Sequence, residues 1–212
     1  MSGGTLAIVR GSGTTFGDLY LRPEFSSVTG GEIIFTQVPS LGLGVDAVQT
    51  YSLDANIALN NLTITGKTAA TARNATLNLM VSPLVLKGSL TLTNNRSFFV
   101  ANNQNLSLMG DFINNNAPAA YAYGTNTTTF NGGTQNIAGT ASTNFNNLVV
   151  NPTSSLSVNN SFTVNGNLTI SRGNLALTSY RIRVLGNLAN NGSYTDSNAE
   201  DVGIWLNGSA QQ

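Results

Sequence analysis

Asn146-Asn147-Leu148-Val149-Val150, Gly166-Asn167-Leu168-Thr169-Ile170 and Gly186-Asn187-Leu188 follow one another at a spacing of twenty residues, and Asn207 lies one further step along. A period near twenty, carried by a short polar residue and then an apolar one, is the pattern of a parallel β-solenoid, in which equivalent positions of successive coils stack. Between these marks the apolar residues come in pairs with one residue between them. The pairs are Leu148/Val150, Leu156/Val158, Phe162/Val164, then Leu168/Ile170, Leu175/Leu177 and Ile182/Val184. Each pair is a short in–out–in strand, because alternate side chains of a strand point to opposite faces. Three such strands per period predict a three-sided coil, with Phe162 over Ile182 and Val164 over Val184.

Asn165-Gly166-Asn167 and Gly186-Asn187 break the strands. Gly takes positive φ without steric cost, and Asn tolerates it better than most residues. Stacked Asn side chains can also bond along the column, so Asn147, Asn167, Asn187 and Asn207 are expected to form a structural turn ladder. The expected fold is all-β: a three-sided, right-handed parallel β-solenoid of about twenty residues per coil, with handedness from the crossover rule. Some ten coils at about 4.8 Å each would make a rod about 50 Å long.

A longer repeat overlies the coil. Gln49 and Asn60-Asn61-Leu62 recur at an offset of 86 as Gln135 and Asn146-Asn147-Leu148, and Gly88-Ser89-Leu90 matches Gly166-Asn167-Leu168 at an offset of 78. Gly110-Asp111-Phe112 matches Gly186-Asn187-Leu188 at 76. The shrinking offset places extra residues near Lys67–Asn74, expected as a surface loop. The chain then divides into 1–48 (the end of a preceding repeat, with variant coils), 49–134 (a first full repeat), 135–210 (a second) and 211–212 (the start of a third). Neither end shows a polar cap of the kind repeat arrays need, so the natural protein is expected to extend beyond both.

Composition narrows the function classes. Only 8% of the 212 residues are charged, nine Lys/Arg balance nine Asp/Glu, and mean hydropathy is near zero. There is no basic footprint for nucleic acid and no polybasic membrane patch. No apolar run is long enough to span a bilayer, and Met1-Ser2-Gly3-Gly4 does not read as a secretory leader. With no Cys and no His, thiolate chemistry, the commonest general base and the commonest metal ligands are missing.

The carboxylates Asp18, Glu24, Glu32, Asp46, Asp54, Asp111, Asp196, Glu200 and Asp201 are scattered. Asp111 falls in the turn column that holds Asn or Ser elsewhere, so it reads as a corner residue. Asp196, Glu200 and Asp201 form one acidic loop, a candidate calcium site with oxygen ligands. Its spacing fits neither an EF-hand nor the calcium-binding β-roll repeat, and a solvated loop is the favoured alternative. Arg183 should point outward from its strand. Trp205, the sole Trp, reads as a partly buried strand aromatic rather than a sugar platform. Tyr121 and Tyr123 make a candidate contact patch. Thr63/Thr65, Thr91/Thr93 and Thr169/Ser171 are outward pairs of the kind an ice-binding face uses. They stand too far apart in the chain to fall on consecutive coils of the expected period.

Phe130-Asn131-Gly132-Gly133-Thr134-Gln135-Asn136-Ile137-Ala138-Gly139, Phe145-Asn146-Asn147-Leu148 and Val164-Asn165-Gly166-Asn167-Leu168-Thr169-Ile170 resemble the large repetitive surface proteins of Bacteroidetes, the gliding-type adhesins and other substrates of type IX secretion. The resemblance runs over about residues 30–212. It implies an exported, elongated, cell-surface protein used for contact, and it carries over no catalytic residue, cofactor or metal.

The expectation is therefore a non-catalytic structural or display segment of an extracellular adhesin or filament. Its expected partners are neighbouring repeats of the same chain or head-to-tail copies, and a surface polysaccharide or another cell. No nucleic-acid contact, membrane insertion or cofactor is expected. A carbohydrate-binding or degenerate polysaccharide-lyase-like β-helix is the alternative, with an ice-binding solenoid behind it.

Overall fold

The strand Leu168–Ile170 lies between Asn147–Val150 and Leu188–Asn190, all parallel, with Leu148, Leu168 and Leu188 in one register. Every coil repeats this relation, so the chain winds as a β-solenoid of about 7 turns, with 52% of residues in strands. The structure is a computed structural model that describes residues 1–11, 18–37, 48–68, 72–197 and 199–208. None of its helices is long and apolar enough to cross a membrane.

Among the described residues the coils build three walls. The first is one sheet of nine strands: Ser2–Ile8, Gly30–Thr36, Asn61–Thr65, Leu90–Leu92, Phe112–Asn114, Thr134–Ala138, Ser155–Val158, Asn174–Leu177 and Ser193–Asp196. The third has six, running from Leu84–Leu86 to Leu188–Asn190. The second wall comes in two sheets. Five strands run from Leu19–Leu21 to Tyr121–Ala122, and three from Phe162–Val164 to Gly203–Leu206. At the step between them Phe145 pairs with Val164 of the later sheet and sets its ring against Tyr121 of the earlier one, centroids 6.0 Å apart.

Alternation decides what is inside. In Leu168-Thr169-Ile170 and Phe162-Thr163-Val164 the outer two residues are buried and the middle one is half-buried. Phe162 lies over Ile182 and Val164 over Val184. Tilted and edge-on aromatic rings fill the mid-rod interior, with Phe112, Tyr121, Phe130, Phe145 and Phe162 at centroid separations of 5.1–6.3 Å. Asn114 and Gln135 are among the polar side chains buried in the interior, and both are hydrogen-bonded, as most buried polar groups are. Asn114 donates to the carbonyls of Ala117 and Ser142. Gln135 donates to those of Leu108 and Gly110, and its Oε1 accepts from Gly132 N.

The coil is not uniform. On the third wall, Leu84, Leu106, Thr128, Leu148, Leu168 and Leu188 are successive partners, and the step shortens toward the C-terminal end. On the first wall the early steps are longer, as Ile33 pairs with Leu62 and Leu62 with Leu90. Longer early coils consume more chain per turn. The molecule therefore has about seven turns rather than ten, and nine first-wall strands make a stack about 38 Å long at about 4.8 Å per step. Part of the early excess is a small hairpin, in which Lys67 and Arg73 exchange backbone hydrogen bonds of 2.9 Å. Its tip, 69–71, is outside the described residues.

The longer repeat does not preserve the wall. Three coils on from Leu90 the first wall holds Val158, by way of Phe112 and Ile137. The sequence repeat overshoots that position, and carries Gly88-Ser89-Leu90 of the first wall to Gly166-Asn167-Leu168 of the third. The same corner sequence serves two different corners.

Candidate functional surface

The corners are hydrogen-bonded ladders. Before the third wall, Asn147 Oδ1 accepts from the backbone N–H of Asn167, and Asn167 Oδ1 from that of Asn187, each at 2.9 Å. Before the first wall, Asn61 Oδ1 accepts from Ser89 N, Ser89 Oγ from Asp111 N, and Asp111 Oδ1 from Asn136 N. Asp111 is thus one rung of a corner column, where a carboxylate oxygen replaces an amide oxygen. Beside these rungs, glycines allow the coils to touch. A Cβ on Gly186 would lie 2.5 Å from the Gly166 carbonyl oxygen.

Asn207 does not take the next rung. Strand Gly203–Leu206 pairs Ile204 with Ile182 and Leu206 with Val184, so Asn207 is level with Leu185. The turn before Gly203, which includes Asp201 at φ 65°, lengthens this coil. The Asn207 amide meets the Arg183 fork instead; turned with its oxygen toward the guanidinium, as hydrogen bonding requires, it accepts from Nη2 (2.6 Å) and Nε (2.8 Å).

The candidate contact patch divides. Tyr121 is 1% exposed and stacks on Phe99 with ring centroids 5.8 Å apart. Its hydroxyl is bonded to Thr128 Oγ1 and accepts from Asn126 Nδ2, both at 2.8 Å. Burial pushes its pKa up to about 12. It is a core residue, because it occupies an inward position of the short strand Tyr121–Ala122. Tyr123 is half-buried, and its hydroxyl accepts from Asn165 Nδ2 at 2.5 Å. A cleft of about 380 Å³, lined by Pro118, Ala119, Tyr123 and Asn144 among others, opens there.

The acidic loop does not converge on a cation. Asp196 Oδ2 accepts from the Tyr194 hydroxyl at 2.5 Å, Asp201 pairs with Arg181 at 3.1 Å, and Glu200 faces solvent. Among the described residues no group of three acids is placed to hold a metal. The other acids are also dispersed. Asp18 accepts from Ser52 N, Glu32 from Thr63 Oγ1, and Asp54 takes a forked contact from Arg22, its closest oxygen 2.7 Å from Nη2. Asp46 lies outside the described residues.

The threonine pairs are closer than their spacing suggests. Thr63 pairs with Thr91, and the Thr65 and Thr93 hydroxyls are 3.1 Å apart, because this coil is longer than the later ones. The column then continues as Ile113 and Ala138, so the array is two coils deep. Thr169 belongs to the third wall, between Val149 and Ala189.

Sequence reasoning missed one grouping. Arg181 and Arg183 face outward with Trp205, and the Arg181 guanidinium carbon sits 4.2 Å from the Trp205 ring centroid. These residues and Asn207 line a cleft of about 220 Å³. The Arg-x-Arg pattern was the available signal, but joining it to Trp205 needed the length of the last coil. No protein-family model, curated protein or solved structure matches this chain.

Proposed function

We propose that this chain is a stiff, non-catalytic rod segment of an extracellular cell-surface adhesin or filament, acting by length and display. The observation that carries the reading is the stack of parallel coils around a continuous apolar interior, with one nine-stranded wall running from the first described strand to Ser193–Asp196. Such a stack gains its stability from neighbour-to-neighbour terms and can be lengthened without redesign. The outer face supports the same role. Polar corner residues are spent on ladders between coils, and the acids are dispersed, whereas general acid–base work needs a partner within hydrogen-bond reach. Neighbouring coils of the same chain or further copies are the natural axial partners, because parallel strand edges accept further strands.

The test is an antibody blot of source cells, intact and after protease shaving. The proposal expects a band well above 22.1 kDa that disappears on shaving. A band near that mass in cytosol or medium, unaffected by shaving, would overturn it.

A further inference from the structure

The outward cleft at the end of the second wall brings two arginines and a part-exposed tryptophan together. Arg181 is paired with Gly203 and Arg183 with Trp205. Gly203 offers Arg181 no side chain to pack on, so its guanidinium lies over the indole, 4.2 Å from the centroid, and Asp201 holds it from the side at 3.1 Å. Arg183 is exposed, and among the described residues its fork meets an amide oxygen, that of Asn207, rather than a carboxylate. Trp205 remains 45% exposed. The cleft is lined by Arg181, Arg183, Trp205 and Asn207, so two guanidiniums and no carboxylate face into it, with Asp201 on Arg181 from the side.

We propose that this cleft binds an acidic sugar, the uronate unit of a polysaccharide. The sugar carboxylate accepts from the terminal Nη1–Nη2 end of Arg183, whose Nε edge faces Asn207, with Arg181 as second cation, and the apolar face of the pyranose rests on the exposed part of Trp205. A planar guanidinium matches a carboxylate with paired N–H donors, and an indole supplies a flat apolar wall with a polar edge. The cleft, about 220 Å³ and open to solvent, admits one sugar unit of a longer chain lying across the rod. The site goes beyond the rod reading and is independent of it, since a rod with an empty cleft is still a rod.

Trp205 is the only Trp in the chain, so its fluorescence reports this cleft alone. The experiment titrates the protein with an oligogalacturonide of defined length and, separately, with the neutral galactose oligomer of equal length, with calorimetry alongside. The expected result is a saturable change with the acidic oligomer only, weakened by added salt as exposed ionic contacts are. Arg183→Gln, at an exposed position that leaves the core untouched, should weaken binding about tenfold or more, the usual loss for a hydrogen bond to a charged group. Arg172→Gln, an exposed arginine elsewhere on the rod, should leave affinity unchanged. No saturable response by either method, an equal response to the neutral oligomer, or equal weakening by the two variants would each overturn the proposal.

Discussion

Replacing Leu168 by Ala tests the inward column where the repeat is most regular. Leu168 is 0% exposed and stacks between Leu148 and Leu188. Truncation removes the apolar contact and leaves a cavity between two coils, at a cost of about 3 kcal/mol. For a chain of this size each kcal/mol lowers Tm by about 2–4 °C, so a fall of about 6–12 °C is expected. The matched control is Thr169→Ala, one residue along the same strand but outward and half-buried. It should stay within about 0.5 kcal/mol, under about 2 °C. Calorimetric melting of both variants beside the parent decides the matter. Equal shifts, or the larger shift at Thr169, would refute the assignment of inward and outward faces.

Three further outcomes follow from the geometry. Gly186→Ala places a Cβ 2.5 Å from the Gly166 oxygen and 2.7 Å from Asn167 Oδ1, so urea unfolding should show a loss of about 1–3 kcal/mol; Gly133→Ala, whose nearest neighbour is 4.0 Å away, should be near neutral, and equal losses would contradict the close coil contact. In alkaline titration, Tyr121 and Tyr194 should ionise near pH 12 and Tyr51 later than an ordinary tyrosine, because burial disfavours their phenolates. These raised values stabilise the fold fully below about pH 10, and the contribution is lost as pH rises through about 12; phenolate absorbance complete by about pH 11 would contradict the burial. Millimolar calcium should leave Tm within about 1 °C, because a ligand that does not bind the folded state cannot raise it; a concentration-dependent rise would restore the loop of Asp196, Glu200 and Asp201 as a cation site.

What the sequence made legible was whatever repeats at twenty residues. The pairs Leu148/Val150 and Phe162/Val164, the ladder from Asn147 to Asn187 and the corner role of Asp111 follow from strand alternation and turn chemistry, which are local. What it hid depended on coil length. Thr63 and Thr91 are neighbours because their coil is longer than the regular period, and Asn207 leaves the ladder because its coil is longer than the one before. Tyr121 reads in the sequence as a loop aromatic among alanines, and its burial comes from the phase of a two-residue strand, too short to show alternation. The Arg181–Trp205 contact was unreadable for the same reason as Asn207, since both need the register of Gly203–Leu206.

The central claim is a stiff stack with a fixed rise per coil, and distances along one outward column test it most directly. Val85, Ser107, Thr129, Val149, Thr169 and Ala189 are successive partners on the third wall. The chain has no Cys, so paired Cys substitutions carry spin labels without interference. Backbone separations from Ala189 should be about 14 Å to Thr129, about 19 Å to Ser107 and about 24 Å to Val85, rising about 4.8 Å per coil. Narrow distributions with that increment are the predicted result. Broad distributions, or separations that do not grow evenly with coil number, would contradict the rod.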